Sequence, residues 1–133
     1  MRVIKIFAIL LVVYIAVVAA FESLLGYFQP QNERTLVITT TDDQGETHDR
    51  VVSRLESDGS LYVAVNHWPR AWYRRVLENP QVQITMDGES GAYQAREVRG
   101  EEYERVDSAH PLGLRFRVLT GFPPRRILRL DPR

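Results

Sequence analysis

Hydrophobic positions follow two regimes along this chain: one unbroken apolar block near the start, and after it a succession of short alternating runs separated by turn residues. The block runs from Ile6 to Phe21, and 11 of its 16 residues are Leu, Ile, Val or Phe. At about −0.3 to −0.6 kcal/mol each on an insertion scale, these supply roughly 3–7 kcal/mol towards a lipid bilayer. Sixteen residues cover only about 24 Å of a core of about 30 Å, and continuation through Glu22 to Phe28, with Tyr27 and Phe28 as interfacial aromatics, makes up the difference. Residues 1–28 are therefore expected to form a single-pass transmembrane anchor. A cleaved signal segment is the competing reading, because Val18-Ala19-Ala20 follows a basic start and an apolar middle. Arg2 and Lys5 precede the span and nothing basic follows until Arg34, which places the N-terminus in the cytoplasm by the positive-inside rule. Residues 29–33, with a proline among polar residues, read as a linker.

From Arg34 the pattern becomes that of a β domain. Arg34–Thr41 is rich in β-branched residues, Asp42-Asp43-Gln44-Gly45-Glu46 turns, and Arg50–Ser57 returns. Asp58-Gly59 is a strong hairpin signal ahead of a third strand at Leu61–Val65. Gln81–Met86 alternates again, Asp87-Gly88 turns, and Tyr93–Val98 is a fifth strand. A helix opening at Gly100-Glu101-Glu102 places carboxylates in its first turn, favourably for the helix dipole. A second helical piece is predicted at Leu112–Thr120, and Arg126–Leu130 makes a sixth strand. The expected fold is mainly β (α+β): a small, partly open β-barrel of five to six antiparallel strands with short helices, occupying residues 34–133.

One stretch interrupts this meander. Asn66 to Val82 holds both tryptophans, one of the three histidines and three arginines. Pro69 is tolerated in a first helical turn, Asn66 is an available cap, and Asn79-Pro80 ends the segment. Between them Trp72 and Val76, and Tyr73 and Leu77, lie four apart, so a short helix is predicted with these four on its apolar face. Arg70, Arg74 and Glu78 take the opposite face and Arg75 the border.

Charge changes the picture little. From Gln29 onward 15 arginines meet 16 acidic residues with no lysine, so no net basic field argues for nucleic acid. The last 19 residues are the exception, with six arginines against Asp131 alone. Absence of cysteine removes disulfides, thiol nucleophiles and Cys-type metal sites. No catalytic constellation stands out, so the catalytic residues are left unassigned, and no metal site is expected. Asp42, Asp43, Glu46, His48 and Asp49 have the residue types for a hard metal, but they read first as a charged hairpin tip.

The order of an Asp-Gly turn, Val63-Ala64-Val65, Pro69-x-x-Trp72-Tyr73, Asn79-Pro80-x-Val82, Asp87-Gly88 and Ala95-Arg96-Glu97-Val98 resembles the deazaflavin (F420)-dependent nitroreductase and F420H2-dependent quinone reductase family. That family has the split β-barrel fold of the flavin-binding superfamily. The resemblance covers about Thr35 to Pro132, including Gly121-x-Pro123-x-Arg125-Arg126-Ile127 at its end. It implies a cofactor, F420 or FMN, in a groove beside the inserted helix, with Asn66, His67, Trp68, Arg70, Trp72, Tyr73 and Arg75 as candidate cofactor-binding residues. It also implies hydride transfer to a quinone-like or nitro-type acceptor, and a homodimer.

The chain departs from the family pattern at two places. Three carboxylates (Asp42, Asp43 and Glu46) stand in the loop where a cationic, hydroxyl-bearing sequence binds the cofactor's phosphate. Arg75 stands where the family has Asn. The expected function is a membrane-anchored oxidoreductase. The alternatives are a cofactor-free, membrane-tethered binding module, or a haem- or lipid-binding relative. For Trp72 and Tyr73 the residue pattern by itself fits packed core as well as a cofactor platform.

Overall fold

The computed structural model describes residues 1–27, 31–66, 68 and 71–133. Phe28, Gln29, Pro30, His67, Pro69 and Arg70 lie outside the described residues, and with them part of the expected linker and two candidate site residues. The chain divides into two compact units, residues 1–29 with 112–123, and residues 30–111 with 124–133.

The first unit is built on helix α1 (Arg2–Tyr27). By length and composition its Arg2–Leu24 portion is long and apolar enough to cross a membrane. The expected second helical piece belongs to this unit, shortened to α4 (Leu114–Leu119). It meets α1 through the Tyr14 hydroxyl, which donates to the Val118 carbonyl at 2.8 Å, and through an edge-on Phe21–Phe116 contact at 5.9 Å.

The second unit is an antiparallel barrel of six strands: β1 (Thr35–Thr41), β2 (Thr47–Ser57), β3 (Ser60–Val65), β4 (Gln81–Met86), β5 (Glu89–Glu97) and β6 (Arg126–Pro132). Their order around the barrel is β1-β2-β3-β6-β5-β4, and pairing of Val37–Thr39 with Gln83–Thr85 closes it. The expectation of a partly open barrel is corrected by this short β1–β4 seam. Both Asp-Gly turns have two successive residues at positive φ (Asp58 49°, Gly59 74°; Asp87 53°, Gly88 81°), the geometry that matches strand twist in a two-residue hairpin. Strand β5 begins four residues before the expected start. Ser90 and Gly91 are poor strand formers in isolation, but they pair with Thr85 and Ile84 across the tight turn.

Alternation along the strands sends Leu36, Ile38, Val52, Val63, Val65, Val82, Ile84, Ala95, Leu128 and Leu130 into one core. Helix α2 (Ala71–Glu78) packs on β1, and its Trp72, Tyr73 and Val76 join that core, filling one end of the barrel. Helix α3 (Gly100–Ala109) covers the outer face, where Val106 and Tyr103 pack with Leu55, Tyr62, Ala64, Val98 and Ile127. At the end away from α2, Arg54 donates to Asp87 at 2.8 Å and to Glu56 at 2.6 and 2.9 Å, tying two hairpin tips together.

Candidate functional site: a groove between β2 and α2

The strands differ in length, and this difference makes the site. Strand β2 has 11 residues and β3 has six, and their pairing begins at Ser53–Ala64. The segment from Thr47 to Val52 is therefore paired with β1 and extends past the end of its β3 pairing. Helix α2 runs beside this overhang. Between them lies an open groove of about 680 Å³, lined by Thr47, His48, Asp49, Arg50, Ala71, Trp72 and Arg75.

Register decides which side chains share the inner face of β2. Val52 stands opposite Leu36, Arg50 opposite Ile38 and His48 opposite Thr40, so Arg50 and His48 project on the same side as the core. Arg75 reaches over from α2, and its Nε donates to the buried Thr40 hydroxyl at 3.0 Å. The two terminal amino groups of Arg75 have no partner among the described residues. The groove thus carries two guanidinium groups, which suit planar bidentate recognition of a phosphate or carboxylate. Asp49 lies on the outer face of the strand, where its carboxylate accepts from Thr39 at 2.6 Å.

The predicted site residues separate. Trp72 and Tyr73 are buried, 2% and 3% exposed, and pack edge-on at 6.1 Å. Trp72 also forms part of the groove wall. The Tyr73 hydroxyl donates to Glu97 Oε1 at 3.3 Å and accepts from Arg126 at 3.5 Å, while the same guanidinium lies 5.7 Å from the Tyr73 ring centroid. Burial pushes the Tyr73 phenol above its usual pKa, with Arg126 pulling the other way, so it stays protonated at neutral pH. Asn66 does not cap α2. Its Oδ1 accepts from Arg125 Nε at 2.9 Å, and Arg125 also donates to Asp107 and to the His110 carbonyl, joining the end of β3 to α3 and β6. Trp68 is about half exposed, and Leu77 is 51% exposed rather than on the buried face. His67 and Arg70 are outside the described residues.

The acidic loop has a structural role in this fold. Asp42 Oδ1 accepts the Gln44 and Glu46 N–H groups at 2.9 Å, and Oδ2 lies 2.8 Å from His48 Nε2. The His48 contact first, and the backbone donors with it, hold the Asp42 carboxyl below the usual carboxylate range. Asp42 thus closes the hairpin tip, while Asp43 and Glu46 are exposed to water. Ligand atoms of Asp42, Glu46 and His48 lie within 4.8 Å of one another, the sum of an Asx-type turn and the Asp42–His48 hydrogen bond.

Sequence reasoning missed Arg50 and His48 as groove residues, Thr40 as the partner of Arg75, and Glu97 and Arg126 as partners of Tyr73. The available signal was parity: Arg50 is two residues from the core position Val52, so an arginine stands on an inward-facing position.

A small closed barrel, plugged at one end by an aromatic helix and grooved along an overhanging strand, defines the class: a split-barrel protein with an open groove beside its inserted helix. The chain belongs to the F420H(2)-dependent quinone reductase family, whose model matches residues 13–110. Among solved structures it is similar to an F420-H2 dependent reductase, FDR-A, at 20% identity and TM-score 0.57, covering 78% of this chain and 99% of that one. It is also similar to HutZ, a haem storage protein from Vibrio cholerae, at 19% identity and TM-score 0.58, covering 87% of each chain. A third, at 20% identity and TM-score 0.59, is described as a domain-swapped dimer and covers 77% of this chain and 84% of that one. At these identities the likeness shows the fold. No curated protein sequence matches significantly.

Proposed function

We propose that this protein is a membrane-anchored reductase that holds deazaflavin F420 in the groove between β2 and α2 and passes its hydride to a quinone. Membership of the F420H(2)-dependent quinone reductase family supports the cofactor and acceptor classes. The single observation that carries the site is the pair Arg50 and Arg75 on either side of the groove, with the terminal amino groups of Arg75 lacking a partner among the described residues. These residues fit the anionic part of F420, and the carboxylate that departs from the family pattern nearest the groove, Asp42, is occupied by its own turn and by His48.

When bound, the reduced deazaflavin supplies the hydride, leaving the protein to bind, orient and exclude water. Arg75 and Arg50 would hold the phosphate or the glutamate tail through their guanidinium groups. Trp72 gives the groove a rigid apolar wall. His48, held at Nε2 by Asp42 and lining the groove, is the group placed to move the proton that accompanies hydride to a quinone. Helix α1 would keep the protein at the membrane in which a quinone dissolves. A second copy of the chain belongs to this reading as well, in keeping with the solved relative described as a domain-swapped dimer.

The test uses the full chain purified in detergent from its own membranes, titrated separately with F420, FMN and haem and assayed for quinone reduction by reduced F420. Micromolar uptake of F420 with quinone turnover is expected, and both weaken in Arg75→Ala. A protein that takes up haem or FMN instead, or none of the three, overturns the reading; the last result points to a cofactor-free binding module.

A further inference from the structure

The segment from Leu112 to Pro123 is unlike the rest of the folded chain. It interrupts the barrel sequence between Pro111 and Pro124, groups with α1, and leaves Leu114 70%, Val118 39% and Phe122 55% exposed. Arg115 and Arg117 are also exposed and have no ion-pair partner among the described residues. We infer that Leu112–Pro123 is a second lipid-contacting element, an interfacial segment that lies beside α1 in one leaflet and binds anionic headgroups through Arg115 and Arg117. The inference rests on α1 being a membrane anchor.

Three observations carry it. The first is depth. The contacts that hold the segment fall at Tyr14 and Phe21, inside the apolar stretch of α1. At 1.5 Å per residue from Arg2, Phe21 lies about 28 Å along the helix and Tyr14 about 18 Å. With the apolar span running from Arg2 to Leu24, this puts Phe21 about 4 Å and Tyr14 about 15 Å inside the far interface. A segment touching both spans the depth at which interfacial helices ride, about 5–10 Å below the headgroups. Any placement of α1 that buries Tyr14 in lipid takes Val118 with it.

The second is polar bookkeeping. Lipid tolerates backbone only where its polar groups pair internally. In the C-terminal half of the segment this pairing is present: Arg117 N–H donates to Gly113, Thr120 N–H and hydroxyl to Phe116, Gly121 N–H to Val118 and Phe122 N–H to Arg117. The Tyr14 phenol, costly if unpaired in hydrocarbon, finds its acceptor in the same segment.

The third is the cost accepted to present Phe122. It follows Gly121 in the left-handed region, at φ 53°, a conformation unfavourable for an aromatic residue, yet its side chain is left exposed. An apolar phase facing it gives that arrangement a return, and long arginine side chains from the same turn reach back to phosphates at the surface.

The chain has no cysteine, so single-cysteine spin labels report position cleanly. Full-length protein is reconstituted in phosphatidylcholine vesicles with and without phosphatidylglycerol. Labels are placed at Leu114→Cys, Val118→Cys and Phe122→Cys, with Leu10→Cys on α1 and Asp43→Cys on the barrel as references. Labels at 114, 118 and 122 are expected to collide with lipid-soluble oxygen in preference to an aqueous nickel chelate, as at position 10 and opposite to position 43. Double replacement of Arg115 and Arg117 by Gln is expected to lower the protein's preference for spin-labelled phosphatidylglycerol over phosphatidylcholine, by up to about fivefold per arginine. A lipid signal at position 10 with aqueous signals at 114, 118 and 122 overturns the inference and leaves the anchor standing. An aqueous signal at position 10 as well overturns the anchor itself. Labels shielded from both reagents put protein, a partner or a second copy, on this face instead of lipid.

Discussion

Arg75 and Asp42 are two of the residues at which the chain departs from the family pattern it resembles, and both can be tested singly. Arg75 is tethered by Nε to Thr40 and keeps its terminal amines towards the groove, so its replacement separates binding from folding. Hydrogen bonds to charged groups contribute about 1.5–3 kcal/mol, so Arg75→Ala is expected to weaken F420 binding roughly tenfold to a hundredfold, measured by fluorescence titration. Arg75→Lys keeps the charge but loses the planar fork and recovers only part of this, with the remaining affinity falling as salt is raised. Asp42 behaves differently because its carboxylate is held below the usual range in the folded state. The unfolded chain then binds a proton more readily than the folded one as pH drops, so the contribution is complete above the unfolded value of about 4 and is lost as pH falls through the folded value. Asp42→Asn keeps an acceptor for the turn and removes the charge. Its thermal midpoint is expected to lie below that of the parent at neutral pH, and the two should converge in strong acid. A difference that persists unchanged in acid would mean that the turn geometry, and not the His48 contact, carries the effect.

Helix α2 shows what the sequence could and could not reveal at the level of an element. Its existence, its end before Asn79-Pro80 and its place between two strands follow from proline chemistry and apolar spacing, and the structure agrees. Its face is narrower than the spacing implied. Trp72, Val76 and Tyr73 span about 100° of the helix circumference, and Leu77 falls about 40° beyond Tyr73, outside the barrel mouth that the other three fill. Replacement of Leu77 by Lys is therefore expected to change stability by no more than about 0.5 kcal/mol, whereas Val76→Asp buries an unpaired charge and costs about 3–5 kcal/mol. Urea unfolding of the two variants decides which residue faces the core. The strands were legible for the same local reasons, down to both Asp-Gly hairpins. The groove was not, because it arises from a mismatch between β2 and β3 and from a register that sets Arg50 opposite Ile38. Neither property belongs to a single stretch of sequence. The same holds for Asn66, whose capping chemistry looked local but whose Oδ1 is taken by Arg125, 59 residues away.

At the scale of the whole molecule the decisive question is whether α1 is kept. The full chain has a mass of 15.4 kDa, and cleavage after Ala20 would remove the Tyr14 hydroxyl that holds Val118 while leaving Phe21 as a new terminus. Retention predicts that protein extracted from membranes has the mass of the intact chain and resists an alkaline carbonate wash. Arginine near the middle of a transmembrane helix costs about 2.5–3.5 kcal/mol, a large part of the roughly 3–7 kcal/mol that the apolar block supplies. Val12→Arg combined with Ile9→Arg is therefore expected to release the protein into the wash, while Val12→Leu leaves it in the pellet. Intact mass with release of the wild type in carbonate would describe a peripheral protein and separate the proposed reductase chemistry from the bilayer. A mass shortened at Ala20 would remove the anchor altogether, and the quinone would then have to reach the groove through water. An intact, carbonate-resistant protein is the outcome expected of a retained anchor, and it is what the proposed supply of quinone from the bilayer requires.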